Sequence, residues 1–180
     1  ICTDVDRTFD EPTVEWQHVA GDCSQGPRGR SWINREEAQA TITGLRTLTE
    51  HLRGLGLSLG VVTPYRAQVE LLQDLANSQL GDLARDVTID TVNRFQGDER
   101  DVMVFSPVVG PSMPARQIFF AANPNRINVA LSRARKRLIV VGNQEACLQH
   151  DSVLADFARY VARLEANGFD SPLELTLYEA

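Results

Sequence analysis

The chain has a single lysine, Lys136, among its 18 basic residues, and this scarcity excludes the commonest phosphate-binding loop. That loop, GxxxxGK[ST], surrounds phosphates with backbone N–H groups and places its lysine on the β- and γ-phosphates. Lys136 has no glycine before it, and no GxGxxG fingerprint follows any predicted strand. The chain therefore lacks the usual means of holding a nucleotide by itself.

Cysteine and long apolar runs are also scarce. Cys2, Cys23 and Cys147 are scattered and odd in number, which argues against a zinc site or a disulfide framework and fits a reducing cytoplasm. No apolar run approaches the roughly 20 residues that span a membrane, and the N-terminus has no secretory pattern. We therefore expect a cytoplasmic protein without a membrane partner. Because the chain opens at Ile1 without methionine, we expect it to be part of a longer protein.

The net charge of −6 argues against a protein that wraps nucleic acid with a uniformly basic surface. Five basic residues nevertheless crowd the short segment 126–137, so any contact with a polyanion should be focal. A preference for arginine over lysine also fits a GC-rich genome, and composition alone does not separate these explanations.

Apolar patterns alternate between strand and helix spacing along the chain. Strands are predicted at Val14–Val19, Ser58–Val62, Asp86–Asp90, Val102–Phe105 and Leu138–Val141. Helices are predicted from Asn34, as N-cap, to about Arg53, from Tyr65 to about Gln79, from Asn125 to the last strand, and at Gln144–Gln149 and Ser152–Ala166. This alternation predicts an α/β fold with a mainly parallel sheet. Such sheets bind ligands at the carboxyl ends of their strands, where we expect the chemistry to lie.

Segment 125–143 has the pattern of an arginine-bearing helix that runs directly into a buried strand. Its apolar residues recur at helical spacing and form one stripe: Ile127, Ala130, Leu131 and Ala134. At 100° per residue, Arg126 and Arg133 then share one flank of the helix, and Arg135 lies on the other. Guanidinium groups match phosphate oxygens and stay charged, so the segment either clamps a phosphate or is a solvated helix edge paired with acids.

Three segments taken in order resemble motifs IV, V and VI of superfamily 1 helicases. They are VVTPYRAQVELL (61–72), TVNRFQGDERDVMVFS (91–106) and NRINVALSRARKRLIVVGN (125–143). The sequence is most similar to the Upf/Dna-type, 5′→3′-moving branch, superfamily 1B. The resemblance implies a RecA-like, P-loop-NTPase-type sandwich that lacks its own phosphate loop, namely the second, C-terminal motor domain, over residues 1–150. It also implies that ATP and Mg²⁺ are held mainly by an upstream RecA-like domain of the same chain.

The resemblance assigns residues to the nucleotide. Arg133 matches the motif VI arginine finger, a catalytic residue of the kind worth about 10³–10⁵ in rate. Arg126, on the same flank, would support it or pair with an acid. In motif V, the backbone at Gln96 and Gly97 and the carboxylate of Glu99 would bind the nucleotide, with Glu99 accepting from a ribose hydroxyl.

Two of these assignments have structural alternatives. Glu99 can instead pair with Arg94 or Arg100. Some relatives carry a γ-phosphate arginine where this chain has Val69, and Arg66 lies three residues earlier. Arg66 is therefore either a second catalytic arginine or a side chain partly buried against a neighbouring acid. Arg135 is expected to be structural or to lie at a domain interface.

The resemblance also implies a track for single-stranded DNA or RNA along motifs IV and V. Thr63, Tyr65, Thr91 and Asn93 match those regions and offer hydroxyl, amide and aromatic groups. Stacking of a base on an aromatic ring is worth roughly 1–3 kcal/mol. Tyr65 can equally be a helix-start aromatic buried against the sheet. Contacts to phosphates and base faces predict no sequence preference.

The C-terminal segment and the overall function each leave alternatives open. Residues 151–180 are predicted to be a helical extension, and 169–180 resemble the opening of a PD-(D/E)XK-type nuclease domain with Glu174 as an early acid, although a capped helix start at Ser171-Pro172 explains them more simply. Besides a helicase motor, the chain could be an inactive RecA-like docking module or a mononucleotide-binding domain of a transferase. For a motor, we expect Arg133 to project at the carboxyl edge of the sheet, free of internal acids.

Overall fold

The computed structural model describes residues 14–27, 29, 31–95 and 97–167. The strands are β1 (Val14–His18), β2 (Ser24–Gln25), β3 (Trp32–Ile33), β4 (Leu59–Thr63), β5 (Val87–Thr91), β6 (Arg100–Phe105) and β7 (Ala134–Gly142). Five of them form a parallel sheet in the order β1-β7-β6-β4-β5, and β2 pairs with β3 in a short antiparallel hairpin. The predicted α/β fold with a parallel sheet is confirmed.

The helices are α1 (Arg35–Leu55), α2 (Arg66–Gln79), α3 (Ala115–Ala121), α4 (Pro124–Ser132), α5 (Gln144–Leu148) and α6 (Val153–Asn167), and a 3₁₀ helix covers Gly81–Asp86. The N-cap expected at the start of α1 is present, since the Asn34 side chain accepts from the backbone N–H of Glu37 at 2.9 Å. Gly56 ends α1 at φ 68°, a left-handed conformation that glycine adopts without strain. Within the described residues, no helix is long and apolar enough to cross a membrane.

Each central strand is buried on both faces, as expected of a covered parallel sheet. Along β6, Val104 faces a core built with α1 and α2, whereas Met103 and Phe105 belong to the core on the other face. That second core includes residues of α3, α4 and α6. Because Leu154 of α6 is buried in it, α6 packs on the body of the domain, whereas the resemblance noted for 169–180 lies outside the described residues.

The motif VI helix is shorter than its periodicity predicts. Helix α4 ends at Ser132, Arg133 is its C-cap, and Ala134 begins β7. The backbone N–H of Arg100 donates to the carbonyl of Arg133 at 3.0 Å, and Ala134 is the register partner of Arg100. Pairing with β6 therefore converts residues 134–137 from predicted helix to strand, and Ala134 does not belong to the helical stripe.

Candidate functional site

The predicted site residues divide between the two edges of the sheet. Thr63 and Thr91 are paired last residues of β4 and β5, so they lie at the carboxyl edge. Glu99 directly precedes β6 and Arg133 directly precedes β7, so both lie at the amino edge. A five-residue strand separates the edges by about 16 Å. The expectation that Arg133 projects at the carboxyl edge was wrong, because parallel strands begin where these residues lie.

Four residues form what we call the amino-edge patch: Gly97, Glu99, Arg133 and Arg135. Arg135 donates to the Glu99 carboxylate, with Nε and Oε2 3.1 Å apart, and both side chains are substantially exposed. The pairing of Glu99 is thus with Arg135 and not with the predicted Arg94 or Arg100. Gly97 has φ 91°, and a Cβ built there would meet no heavy atom within 4 Å. Backbone conformation, and not crowding, is therefore what favours glycine here, and the space beside it is open.

Arg133 keeps an accessible guanidinium. Its Nη2 donates to the Oγ of the adjacent Ser132 at 3.0 Å. The neighbouring acids bond to other arginines, Asp98 to Arg100 at 2.7 Å and Glu99 to Arg135. Arg133 is therefore not folded against an internal acid in the way that would have excluded a ligand role.

Arg126 lies apart from Arg133. Its guanidinium carbon is 3.8 Å from the centroid of the Phe120 ring, and its Nη1 donates to the Phe120 carbonyl at 3.3 Å. The two residues are seven positions apart, which corresponds to about 10 Å along a helix axis. The expectation that the two arginines act side by side was wrong, because α4 ends before residue 133 and Arg126 turns back towards α3.

A groove of about 650 Å³ opens at the carboxyl edge. We call it the carboxyl-edge groove, and its lining includes Tyr65, Arg66, Thr91, Asn93, Gln117 and Phe120. It thus brings together three of the four residues predicted to contact a nucleic acid strand. Asn93 is exposed and Thr91 is half-buried, so both have polar groups within reach of a ligand.

The other predicted strand contacts are buried. Thr63 is fully buried, so its side chain does not reach the groove surface, a correction to the predicted contact. Tyr65 is only 5% exposed, its hydroxyl donates to the Gln117 carbonyl at 2.7 Å, and burial raises the pKa of that phenol. Of the two interpretations of Tyr65, the buried helix-start aromatic is the correct one. Stacking on this ring is therefore not available.

Arg66 lies on the groove and far from the amino-edge patch. Its Nε is 3.5 Å from Glu70 Oε1, in a pair whose side chains are both exposed. The predicted acidic neighbour is present, but the predicted partial burial is wrong because α2 presents this position to solvent. Arg66 and Arg133 thus lie towards opposite edges of the sheet. Gln96 lies outside the described residues.

A buried hydrogen-bond network supports the carboxyl edge. We define it as Asn34, Glu37, Gln68 and Ser106. The Ser106 hydroxyl donates to Glu37 Oε1 at 2.5 Å, and the Gln68 amide donates to Ser106 Oγ at 3.2 Å and to the Asn34 carbonyl at 3.1 Å. Burial raises the pKa of Glu37 to about 8. The motif IV glutamine therefore joins α2 to the start of α1 and the end of β6.

Sequence reasoning missed the aromatic residues of α3. Phe119 and Phe120 are among the exposed large apolar side chains, and Phe120 lines the carboxyl-edge groove. The signal that could have found them is the phenylalanine pair itself, next to Arg116 and followed by Pro124 at a helix start. The seven-residue helix was too short to show a periodic pattern.

Comparison with known proteins identifies the family. A family model described as "AAA domain" matches residues 3–145. The chain is 40% identical over 134 residues to DNA polymerase alpha-associated DNA helicase A of Saccharomyces cerevisiae, covering 72% of this chain and 19% of that protein. It is 37% identical over 128 residues to ATP-dependent helicase upf1 of Schizosaccharomyces pombe, covering 68% and 13%.

A third relative, helicase sen1 of Schizosaccharomyces pombe, is 38% identical over 124 residues, covering 67% of this chain and 7% of that protein. The chain thus spans less than a fifth of the length of each of these three relatives. The matched region includes all three segments that resemble motifs IV, V and VI. The chain therefore belongs to this AAA-domain family and is a RecA-like domain of the superfamily 1 helicases.

Proposed function

We propose that the chain is the second, C-terminal motor domain of an ATP-dependent helicase that moves on single-stranded DNA or RNA. The observation that carries this proposal is the placement of an accessible arginine patch and a polar groove at opposite edges of one rigid sheet. A motor must respond to a nucleotide at one place and hold a strand at another. The chain offers separate surfaces for the two tasks.

The amino-edge patch fits the triphosphate of ATP. Arg133 offers a planar set of donors, and Gly97 leaves open space for close approach of a ligand to the backbone. The described acids, Asp98 and Glu99, are paired with arginines, so the patch is better suited to binding phosphate than to holding Mg²⁺. We assign Mg²⁺ and the phosphate loop to the upstream domain.

In this proposal ATP supplies the phosphoryl group that is transferred to water, and Arg133 stabilises the charge that develops on it. Glu99 accepts from a ribose hydroxyl while its second oxygen keeps the bond to Arg135. Because Arg133 terminates α4 and is continuous with β7, its position is set by the sheet. When the upstream domain closes on this edge, β7 would transmit the contact at Arg133 to the rest of the sheet.

The carboxyl-edge groove fits a nucleic acid backbone. Thr91 and Asn93 offer a hydroxyl and an amide to phosphate oxygens, and Arg66 offers a positive charge at the rim. Such contacts ignore base identity, so the proposal predicts binding without sequence preference. Opening and closing of the interdomain cleft would move this groove along the strand.

The direct test compares ATP hydrolysis by this chain alone with hydrolysis by a longer protein in which it follows its upstream domain. We expect no turnover by the 180-residue chain and strand-stimulated turnover by the longer protein. Turnover by the purified chain that Arg133→Ala abolishes would contradict the proposal. Strand binding by the longer protein with no hydrolysis would favour the inactive docking module instead.

A further inference from the structure

Helix α3 presents two adjacent phenylalanines to solvent. Phe119 is 60% exposed and Phe120 is 39% exposed, whereas Ile118 and Ala121 of the same helix are buried. Burial of a phenylalanine side chain stabilises a fold, and the chain leaves much of that stabilisation unused at these two positions. Adjacent exposed aromatics next to polar groups are typical of a binding surface.

Positive charge flanks these rings on both sides. Arg116 lies three and four residues before the two phenylalanines, so it shares their face of α3, and it is exposed. On the other side, the guanidinium of Arg126 lies over the Phe120 ring at 3.8 Å from its centroid. In a chain with a net charge of −6, this is a local positive surface around flat apolar rings. The charge pattern fits an anionic partner that has planar faces.

The surface is continuous with the carboxyl-edge groove and is held firmly against it. The Tyr65 hydroxyl donates to the carbonyl of Gln117 in the middle of α3, at 2.7 Å. The rings of Tyr65 and Phe120 lie 5.2 Å apart between centroids, and Phe120 itself lines the groove. A strand lying along Thr91 and Asn93 would therefore reach the α3 rings without crossing a gap in the protein surface.

We propose that Arg116, Phe119, Phe120 and Arg126 form an aromatic platform on which the single strand leaving the carboxyl-edge groove stacks a base. The exposed ring of Phe119 receives the base, Phe120 and Arg126 support it from the groove side, and Arg116 binds a flanking phosphate. This inference rests on the proposed function. It adds the stacking contact that the buried Tyr65 does not provide, and it predicts tolerance of any base, because every base has a flat face.

The test measures binding of the 180-residue chain to a fluorescein-labelled oligothymidylate of roughly 15 nucleotides by fluorescence anisotropy. Loss of a stacking contact worth 1–3 kcal/mol lowers affinity about fivefold or more, so we expect that loss for Phe119→Ala. Phe119→Trp keeps a flat ring and should retain affinity. Leu148→Ala removes a 37%-exposed apolar side chain from α5 and is the matched control, with no expected change.

A second readout reports stacking directly and separates it from a general loss of fold. The oligonucleotide carries one 2-aminopurine, whose fluorescence is quenched when the base stacks on an aromatic ring. We expect quenching with the wild-type chain and its loss with Phe119→Ala, while circular dichroism of the two proteins stays the same. Unchanged affinity and unchanged quenching in Phe119→Ala would overturn the platform.

The outcomes also separate the platform from the proposed function. If the wild-type chain binds and Asn93→Ala weakens binding while Phe119→Ala does not, the groove stands and the platform is wrong. If the wild-type chain binds no single strand, both are wrong for this domain. If Phe119→Ala in a longer protein changes only ATP turnover and leaves strand affinity intact, α3 contacts the upstream domain and the platform is overturned.

Discussion

The two edges of the sheet are built by different physical means. The carboxyl edge rests on the buried network of Asn34, Glu37, Gln68 and Ser106, where each bond lies away from water. The amino-edge patch is joined by exposed ion pairs such as Glu99–Arg135, of which surface examples contribute about 0.2–1 kcal/mol. Under the proposed function, the edge that binds the strand thus has a fixed shape, whereas the edge that binds the nucleotide can exchange its ion pairs for ligand contacts at little cost in stability.

The largest expected effect is on catalysis and tests the assignment of the amino edge. In a longer protein with its upstream domain, Arg133→Ala should lower kcat for ATP by about 10³-fold, because a γ-phosphate arginine contributes this much or more. Arg159→Ala removes an exposed arginine that pairs with Asp156 on α6, and it should leave turnover unchanged. Steady-state hydrolysis with saturating strand is the measurement.

The same assay separates the two motif VI arginines. Arg126→Ala should weaken strand binding and leave kcat at saturating strand nearly unchanged, because the guanidinium of this α4 residue packs on Phe120 of α3, which lines the carboxyl-edge groove. The opposite pattern, with turnover lost in Arg126→Ala and kept in Arg133→Ala, would show that the nucleotide contacts the carboxyl edge. The functions proposed for the two edges would then have to be exchanged.

The next effect tests the buried support of the carboxyl edge. Glu37 has a pKa of about 8 in the fold against an ordinary value of 4.5, and burial is the main cause. Between these pH values the folded state keeps a proton that the unfolded state has released. The free energy of unfolding should therefore fall as pH rises through this window, by up to about 1.4 kcal/mol per pH unit.

Glu37→Gln separates this contribution from other titrating groups. The amide keeps an oxygen that can accept from Ser106 and from the Val108 N–H, but it does not titrate. We expect urea unfolding of this variant to show a flatter dependence on pH between 5 and 8 than the wild type. Equal slopes in the two proteins would mean that Glu37 is ionised in the fold and that the network is held in another way.

A smaller effect is expected at the groove surface. Asn93→Ala should lower affinity for an oligothymidylate about fivefold, because it removes one hydrogen bond to a phosphate, worth about 1 kcal/mol. Gln149→Ala removes an exposed amide outside the groove and serves as the control. Anisotropy titrations of the chain give both values, and equal loss in the two variants would argue against a defined strand path.

The smallest effect is expected for the exposed pair of the amino edge. Arg135→Ala should change the free energy of unfolding by less than about 1 kcal/mol, with the difference shrinking in high salt. A double-mutant cycle with Glu99→Ala measures the coupling of the pair. A coupling well above this value would show that the amino edge is as rigid as the carboxyl edge.

Local patterns predicted most of the elements, but neither the end of α4 nor the presence of α3. The Asn34 cap and the apolar runs of β6 and β7 depend on neighbouring residues, so they could be read from the chain. The end of α4 could not, because residues 134–135 continue a helical pattern and only the pairing of Ala134 with Arg100 makes them strand. Helix α3 has seven residues, which is too few for a reliable period.

The features of the candidate site also divide into those that the sequence predicted and those that depend on packing between distant residues. The residue types of motifs V and VI predicted the chemistry of phosphate binding, and Asn93 and Thr91 lie on a groove as expected. The burial of Tyr65 was one of two open alternatives and the exposure of Phe119 was not predicted, because both depend on how α3 packs against the start of α2.

The order of the residues was enough to predict the family, the alternation of strands and helices and the kinds of groups available for chemistry, because these follow from residue identity and short-range spacing. Which groups share an edge, which aromatic ring meets solvent and which arginines lie apart became clear only from the folded arrangement. The physical reason is that sheet pairing and burial act between residues distant in the chain, and their gain in free energy exceeds the weak local preference for continuing a helix.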